Sequence, residues 1–243
     1  MLIVLPPSET KAHGGSGAPL RWESLSFPSL TPRRSSIAAD LAALPVDEAL
    51  GILGISEKLR PEAEENTRLL SGPTMPAIER YTGVLYDALD APSLPPAARE
   101  HLAVGSALFG VVRAGDMIPH YRLSAGTKLP DASGNFPTMK ARWGKAITQA
   151  LSEVEGLVID LRSGGYQQLG PCPGALTVRV ESVREDGSRK VVSHFNKHYK
   201  GELARVLALS DAEPTDAASV AEVARAAGMT VEEDSPTRLT LVV

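Results

Sequence analysis

The chain contains a single cysteine, Cys172. That scarcity excludes an internal disulfide and any Cys-rich zinc or iron–sulfur site assembled within one chain. One cysteine in 243 residues also points to a reducing compartment. Long apolar runs are missing as well. The opening MLIVL stops at Pro6 with no basic residue ahead of it, and nothing later supplies the ~18 consecutive apolar residues of a membrane span. A cytoplasmic protein with no membrane partner is expected. Positive charge is not in excess: the net charge of −4 argues against a bulk polybasic nucleic-acid binder. No repeat at a period of about 20–50 residues is visible, which excludes a solenoid.

What is there suits a globular protein. The chain is 43% hydrophobic and 22% charged, and its length supports a substantial core without disulfides or metal. Charge is unevenly distributed. Residues 107–205 carry 14 Lys/Arg against 9 Asp/Glu, while residues 1–106 carry 9 against 13 and residues 206–243 carry 2 against 7. A basic middle between acidic ends can create a local anion-binding surface, although a mixed solvated surface has the same composition.

Apolar spacing predicts a buried strand from residue 2, a glycine-rich flexible loop over 13–19, and helices around Ile37–Leu44 and Ala49–Leu59. Pro61 opens a further helix with Glu62, Glu64 and Glu65 near its N-terminus. One helix is expected across Ile78–Leu89 and a short one over 96–105. Strands follow at 157–161 and 176–184, the latter turning through Asp186-Gly187 into a hairpin. Helices over 197–208 and 217–227 precede two short strands around 229–232 and 238–243. Helices and strands mix without a regular βαβ rhythm. The reading is therefore a mixed α/β (α+β) class, with one domain over 1–243 and a mixed sheet surrounded by helices.

Five segments carry candidate chemistry. In the turn after the first strand, Ser8, Thr10 and Lys11 can hold an anion. Glu9 can act as acid, base or arginine partner, and the glycines at 14, 15 and 17 can bring backbone amides to a phosphate. The plain alternative is a solvated loop after an edge strand, and no Gly-Lys-Ser/Thr completes a P-loop. In the central segment Arg113, Asp116, Tyr121, Arg122 and Lys128 crowd between glycines and a proline. The arginines suit phosphate or carboxylate, with Asp116 orienting one of them, and a structural ion-pair loop is the alternative. In His194–Gly201, Asn196 reads as an N-cap and Lys197 and Lys200 share a helical face. His194 and His198 lack a third ligand at metal-binding spacing, so no metal and no cofactor are expected. Ser163, followed by Gly164, Gly165 and Tyr166, lacks a GxSxG setting and reads better as a turn cap. Trp143 can stack on a base or pack in the core. Finally, Leu53-Gly54-Ile55 between two helices has the form of a helix–hairpin–helix, assisted by Lys58 and Arg60 and opposed by the surrounding glutamates.

The stretch SALFGVVRAGDMIPHYRLSAGTKL, residues 106–129, resembles the central signature of the YaaA peroxide-stress family. MLIVLPPSETK, YTGVLYDAL, RWGKAIT, VIDLRSGGY and HFNKHYKGELAR are similar to its other blocks, in the same order. The C-terminal AAGMTVEEDSPTRLTLVV departs from the aromatic-rich ending common in that family. The resemblance implies a cantaloupe-like fold with a basic cleft, a helix–hairpin–helix, and a role in limiting iron-dependent oxidative damage during hydrogen-peroxide stress. It also implies a double-stranded or distorted DNA partner. By the same resemblance the cleft draws on Lys11, Arg113, Arg122, Lys128, Lys197 and Lys200. No catalytic residue is assigned, and an enzyme acting on a nucleotide-like or phosphorylated small molecule in the same cleft is the alternative.

Overall fold

The computed structural model describes residues 1–192 and 195–243. Its main sheet is built from β1 (Leu2–Leu5), β3 (Leu102–Ser106), β4 (Gly110–Arg113), β6 (Val158–Asp160), β7 (Leu176–Val183), β8 (Arg189–Val191), β9 (Thr230–Ser235) and β10 (Arg238–Val242). The order is β4-β3-β1-β6-β7-β10-β9, with β8 paired to β7. β3, β1, β6, β7 and β10 run parallel. β4, β8 and β9 add antiparallel edges. β2 (Thr74–Pro76) and β5 (Met117–Pro119) form a separate antiparallel pair.

β1 is all apolar because it lies between parallel neighbours, covered on both faces, and every residue in it is buried. It is therefore a central strand and not an edge. β7 alternates buried and more exposed positions from Leu176 to Val180, and the buried Glu181 breaks the pattern. The β7–β8 hairpin turns where expected: the Asp186 carboxylate accepts from Ser188 N–H at 2.8 Å and Gly187 takes a positive φ. One hydrophobic cluster runs from Leu2 to Leu241.

The helices are α1 (Thr31–Ala43), α2 (Val46–Leu53), α3 (Arg60–Thr67), α4 (Ala77–Arg80), α5 (Val84–Leu89), α6 (Pro96–Glu100), α7 (Met139–Trp143), α8 (Ala146–Ser152), α9 (Gly164–Leu169), α10 (Asn196–Leu209) and α11 (Ala217–Ala226). α11 begins with a capping box between Asp216 and Ser219. α2 ends on Gly54 in the left-handed conformation, and the chain then turns into α3. Among the described residues, no helix is long and apolar enough to cross a membrane.

Two expectations are corrected. The single helix over Ile78–Leu89 is two helices, α4 and α5. Between them Tyr81 is extended and bridges Lys11, and Gly83 takes a φ of 97°. Residues 102–105 are not helical but belong to β3, since a short buried apolar run has no periodicity to separate strand from helix.

Candidate functional site

The chain leaves β1 at the carboxyl end of the parallel strands, where ligand sites of open α/β sheets are usually found. Pro6 and Pro7 offer no N–H to continue a ladder, and Tyr86 Oη holds the Pro6 carbonyl at 2.8 Å. The chain then folds back so that Lys11 is buried. Its ammonium donates to the Ser8 carbonyl at 3.0 Å and lies 4.6 Å from the Tyr121 ring centre and 5.5 Å from that of Tyr81. The two tyrosine hydroxyls are 2.7 Å apart, and Tyr121 Oη is also 2.7 Å from Ser106 Oγ at the end of β3. Burial pushes the Lys11 pKa down to about 8 and the Tyr81 pKa up to about 12. Burial also holds Tyr121 and Tyr166 well above the usual phenol range.

Beside this cluster two clefts meet at Pro6, Pro7, Glu9 and Lys197. The larger, of about 610 Å³, is lined by Arg162, Ser163, Tyr166, Arg179, Asn196, Lys197, Lys200 and Arg238, among others. The smaller, of about 480 Å³, takes in Ser8, Thr10 and Thr82. Arg162 is buried and fully engaged: it forms a two-pronged pair with Asp160 at 2.8 and 2.9 Å and donates to the Gly170 carbonyl. Arg179 pairs with Glu181 at 3.0 Å. Lys197, Lys200 and Arg238 have no carboxylate within ion-pair distance among the described residues. Lys200 donates to the Leu161 carbonyl at 3.3 Å, and burial lowers its pKa. The one carboxylate lining the cleft, Glu9, is tied to Arg122 at 3.2 Å. Arg122 is also anchored through its backbone to Asn66.

The structure thus gathers Ser8, Glu9, Lys11, Tyr121, Arg122, Ser163, Tyr166, Asn196, Lys197 and Lys200 at one end of the sheet. Arg113 and Asp116 lie at the other. In the antiparallel β3–β4 pair Arg113 sits opposite Ala103, near the start of β3. Its guanidinium donates to the Glu100 carbonyl, and it borders a cleft with Met1, Ser26 and Glu153. Asp116 does not orient an arginine side chain. It accepts from the backbone N–H of Arg113 and from Ser26, clamping the loop before α1. Lys128 is exposed on a separate bridge to Thr138.

Asn196 is the first residue of α10, not its cap; the N-cap position falls on Phe195. Ser163 occupies the N-cap of α9 without a side-chain cap bond. Trp143 is fully buried and donates to the Ala107 carbonyl, so it packs and does not stack on a base. The backbone of Gly17 is paired with Thr74 in both directions, and a side chain at Gly15 would strike the Thr74 carbonyl, so these glycines serve close packing of the chain. His194 lies outside the described residues, and His198 stands 3.3 Å from Glu202.

Arg162, Arg179, Arg238, Tyr81 and Ser106 are absent from the sequence-based candidates. Arg162 directly follows a predicted strand, which is the one local signal for it. The others are recruited by strand pairing. A second polar group, His13, Glu62 and His120, lies beyond Lys11. Its His120 is buried, with a pKa pushed down to about 4 by burial and by the neighbouring His13, Lys11 and Arg80.

The fold and site define an α/β protein whose carboxyl-end cleft presents lysines and arginines around a buried lysine–tyrosine cluster. The chain belongs to the family of the peroxide stress protein YaaA, whose pattern matches residues 1–234. It is 70% identical to a UPF0246 protein of Corynebacterium glutamicum and 70% identical to one of Corynebacterium efficiens, in both cases over the whole of both chains. It is 43% identical to a UPF0246 protein of Streptomyces coelicolor, covering 98% of this chain and 94% of that one.

Proposed function

We propose that this peroxide-stress protein binds the phosphate backbone of DNA through the carboxyl-end cleft and thereby helps limit iron-dependent oxidative damage. The supporting observation is the set of cations Lys197, Lys200 and Arg238, which among the described residues have no carboxylate partner, around a cleft whose lining carboxylate, Glu9, is already engaged by Arg122. Lysine and arginine side chains of this kind contact phosphates without reading sequence. The α2–α3 hairpin is a second candidate contact, although Arg60 there is occupied by Asp47 and Glu57.

Fluorescence anisotropy with a labelled duplex across a salt series tests the reading. Binding should weaken linearly on a log–log plot, and removing two phosphate contacts by Lys197→Ala with Arg238→Ala should reduce the slope by about 2. Absence of binding at low salt would overturn it.

A second reading is favoured by one observation. A buried amine with a pKa near 8, against two hydrogen-bonded tyrosines, is more than phosphate binding requires. It suits proton transfer on a nucleotide-like or phosphorylated small molecule. Stabilisation by such a ligand that is lost in Lys11→Met would support it.

A further inference from the structure

His13, Glu62 and His120 come from three different parts of the chain: the loop after β1, the first turn of α3 and the end of β5. Their ligand atoms lie within 4.8 Å of one another. Glu62 faces both rings, with Oε1 3.8 Å from His13 Nε2 and Oε2 3.6 Å from His120 Nε2. The rings are stacked, with centres 4.6 Å apart and planes 11° from parallel. His120 is only 5% exposed, yet its ring nitrogens make no hydrogen bond of normal geometry beyond a loose approach to the Lys11 backbone, and Glu62 Oε2 makes none. Buried polar atoms are nearly always satisfied, so His120 Nε2 and Glu62 Oε2, which face each other 3.6 Å apart without a bond, indicate a missing partner between them.

We propose that His13, Glu62 and His120 bind a first-row divalent transition-metal ion through two imidazole nitrogens and a carboxylate oxygen. Two nitrogen donors favour this class over magnesium or calcium, which take oxygen ligands. Metal–ligand bonds near 2.0–2.2 Å bring tetrahedral ligand atoms to about 3.3 Å, so the group must contract. His13 is the ligand free to move: its side chain is 66% exposed and it adjoins Gly14, whose surroundings are open. With three protein ligands, a position remains for a fourth on the solvent side, the arrangement of reactive and not of structural sites. The nearby charges of Lys11 and Arg80 oppose a bare dication, which favours an anion in that position.

The test uses the untagged, metal-stripped full chain, titrated with Zn²⁺ and Co²⁺ by calorimetry and visible spectroscopy, with Mg²⁺ as the hard-cation control. One ion per chain is expected, with Co²⁺ ligand-field bands and no competition from Mg²⁺. His13→Ala, at an exposed loop position, should keep the metal-free melting temperature and circular dichroism of the wild type. It should weaken Zn²⁺ binding at least about tenfold and abolish the Zn²⁺-induced rise in melting temperature. Glu62→Gln should behave likewise. Failure of the wild type to bind Zn²⁺ or Co²⁺ saturably, or equal binding by wild type and His13→Ala, would overturn the proposal. Neither result bears on DNA retention by the cleft.

Discussion

The hydroxyls of Tyr81 and Tyr121 meet at 2.7 Å beneath the Lys11 ammonium. Both are buried, and Tyr121 passes the contact on to Ser106. Removing the middle hydroxyl by Tyr121→Phe takes from Tyr81 Oη its 2.7 Å partner and should cost about 1–3 kcal/mol in urea unfolding. Adding Tyr81→Phe should then cost little more, since both members of the pair are apolar. Additive losses would show that the pair does not act as a unit.

Lys11 imposes a pH dependence of defined sign. Its pKa is near 8 in the folded chain against an ordinary 10.5, so between these values the unfolded chain holds a proton that the native state has lost. Stability should rise with pH from about 8 upward. The rise should end near pH 10, where Tyr81, Tyr86, Tyr121 and Tyr166, all raised by burial, ionise first in the unfolded chain and reverse the slope. Unfolding free energies of wild type and Lys11→Met at pH 7.5 and 9.5 give the contrast: the variant should lose the Lys11 part of the rise and keep the part due to Lys200, whose pKa burial also lowers.

Glycines on two helices should respond oppositely to a methyl group. At Gly201 on α10 a Cβ would run into the Leu85 carbonyl and reach 2.9 Å from Ala88 Cβ, where α10 packs on α5. Gly201→Ala should destabilise by about 1–3 kcal/mol and displace the helix that carries Lys197 and Lys200. Gly51 on α2 has nothing within 4 Å of a built Cβ, and Gly51→Ala should stabilise by about 0.5–1 kcal/mol. Thermal melts of the two variants check both signs.

Position separates the two basic groups of the sequence. Arg113→Ala should leave duplex binding within about twofold of wild type, since Arg113 lies at the opposite end of the sheet from Lys197. Asp116→Ala should lower stability by about 1.5–3 kcal/mol through loss of its bonds to Ser26 and Arg113, again without a change in the salt slope of binding. A steeper loss on mutating Arg113 than Lys197 would move the interface to the other end of the sheet.

Much of the fold is legible locally. β1 reads as buried from four apolar residues, the β7–β8 turn from Asp186-Gly187, and α11 from its alanine period and the stop at Gly228. The helix predicted over 96–105 holds for Pro96–Glu100 and fails from Leu102, where the chain pairs as a strand with β1 and β4. The Tyr81 break fails in the same way: its extended backbone is held by a bridge to Lys11, a residue far away in the chain.

The sequence by itself determined the family, the mixed α/β character and most element positions, because periodicity, turn residues and caps act over a few residues. Only the tertiary structure decided which charged groups share a site. β1 is flanked by β3 and β6, so its loop opens beside Ser106 and Arg162. The antiparallel return of β4 carries Arg113 away to the far end. His13, Glu62 and His120 meet only because three separate segments pack together. Convergence of this kind depends on long-range strand order and helix packing, and no spacing along the chain records it.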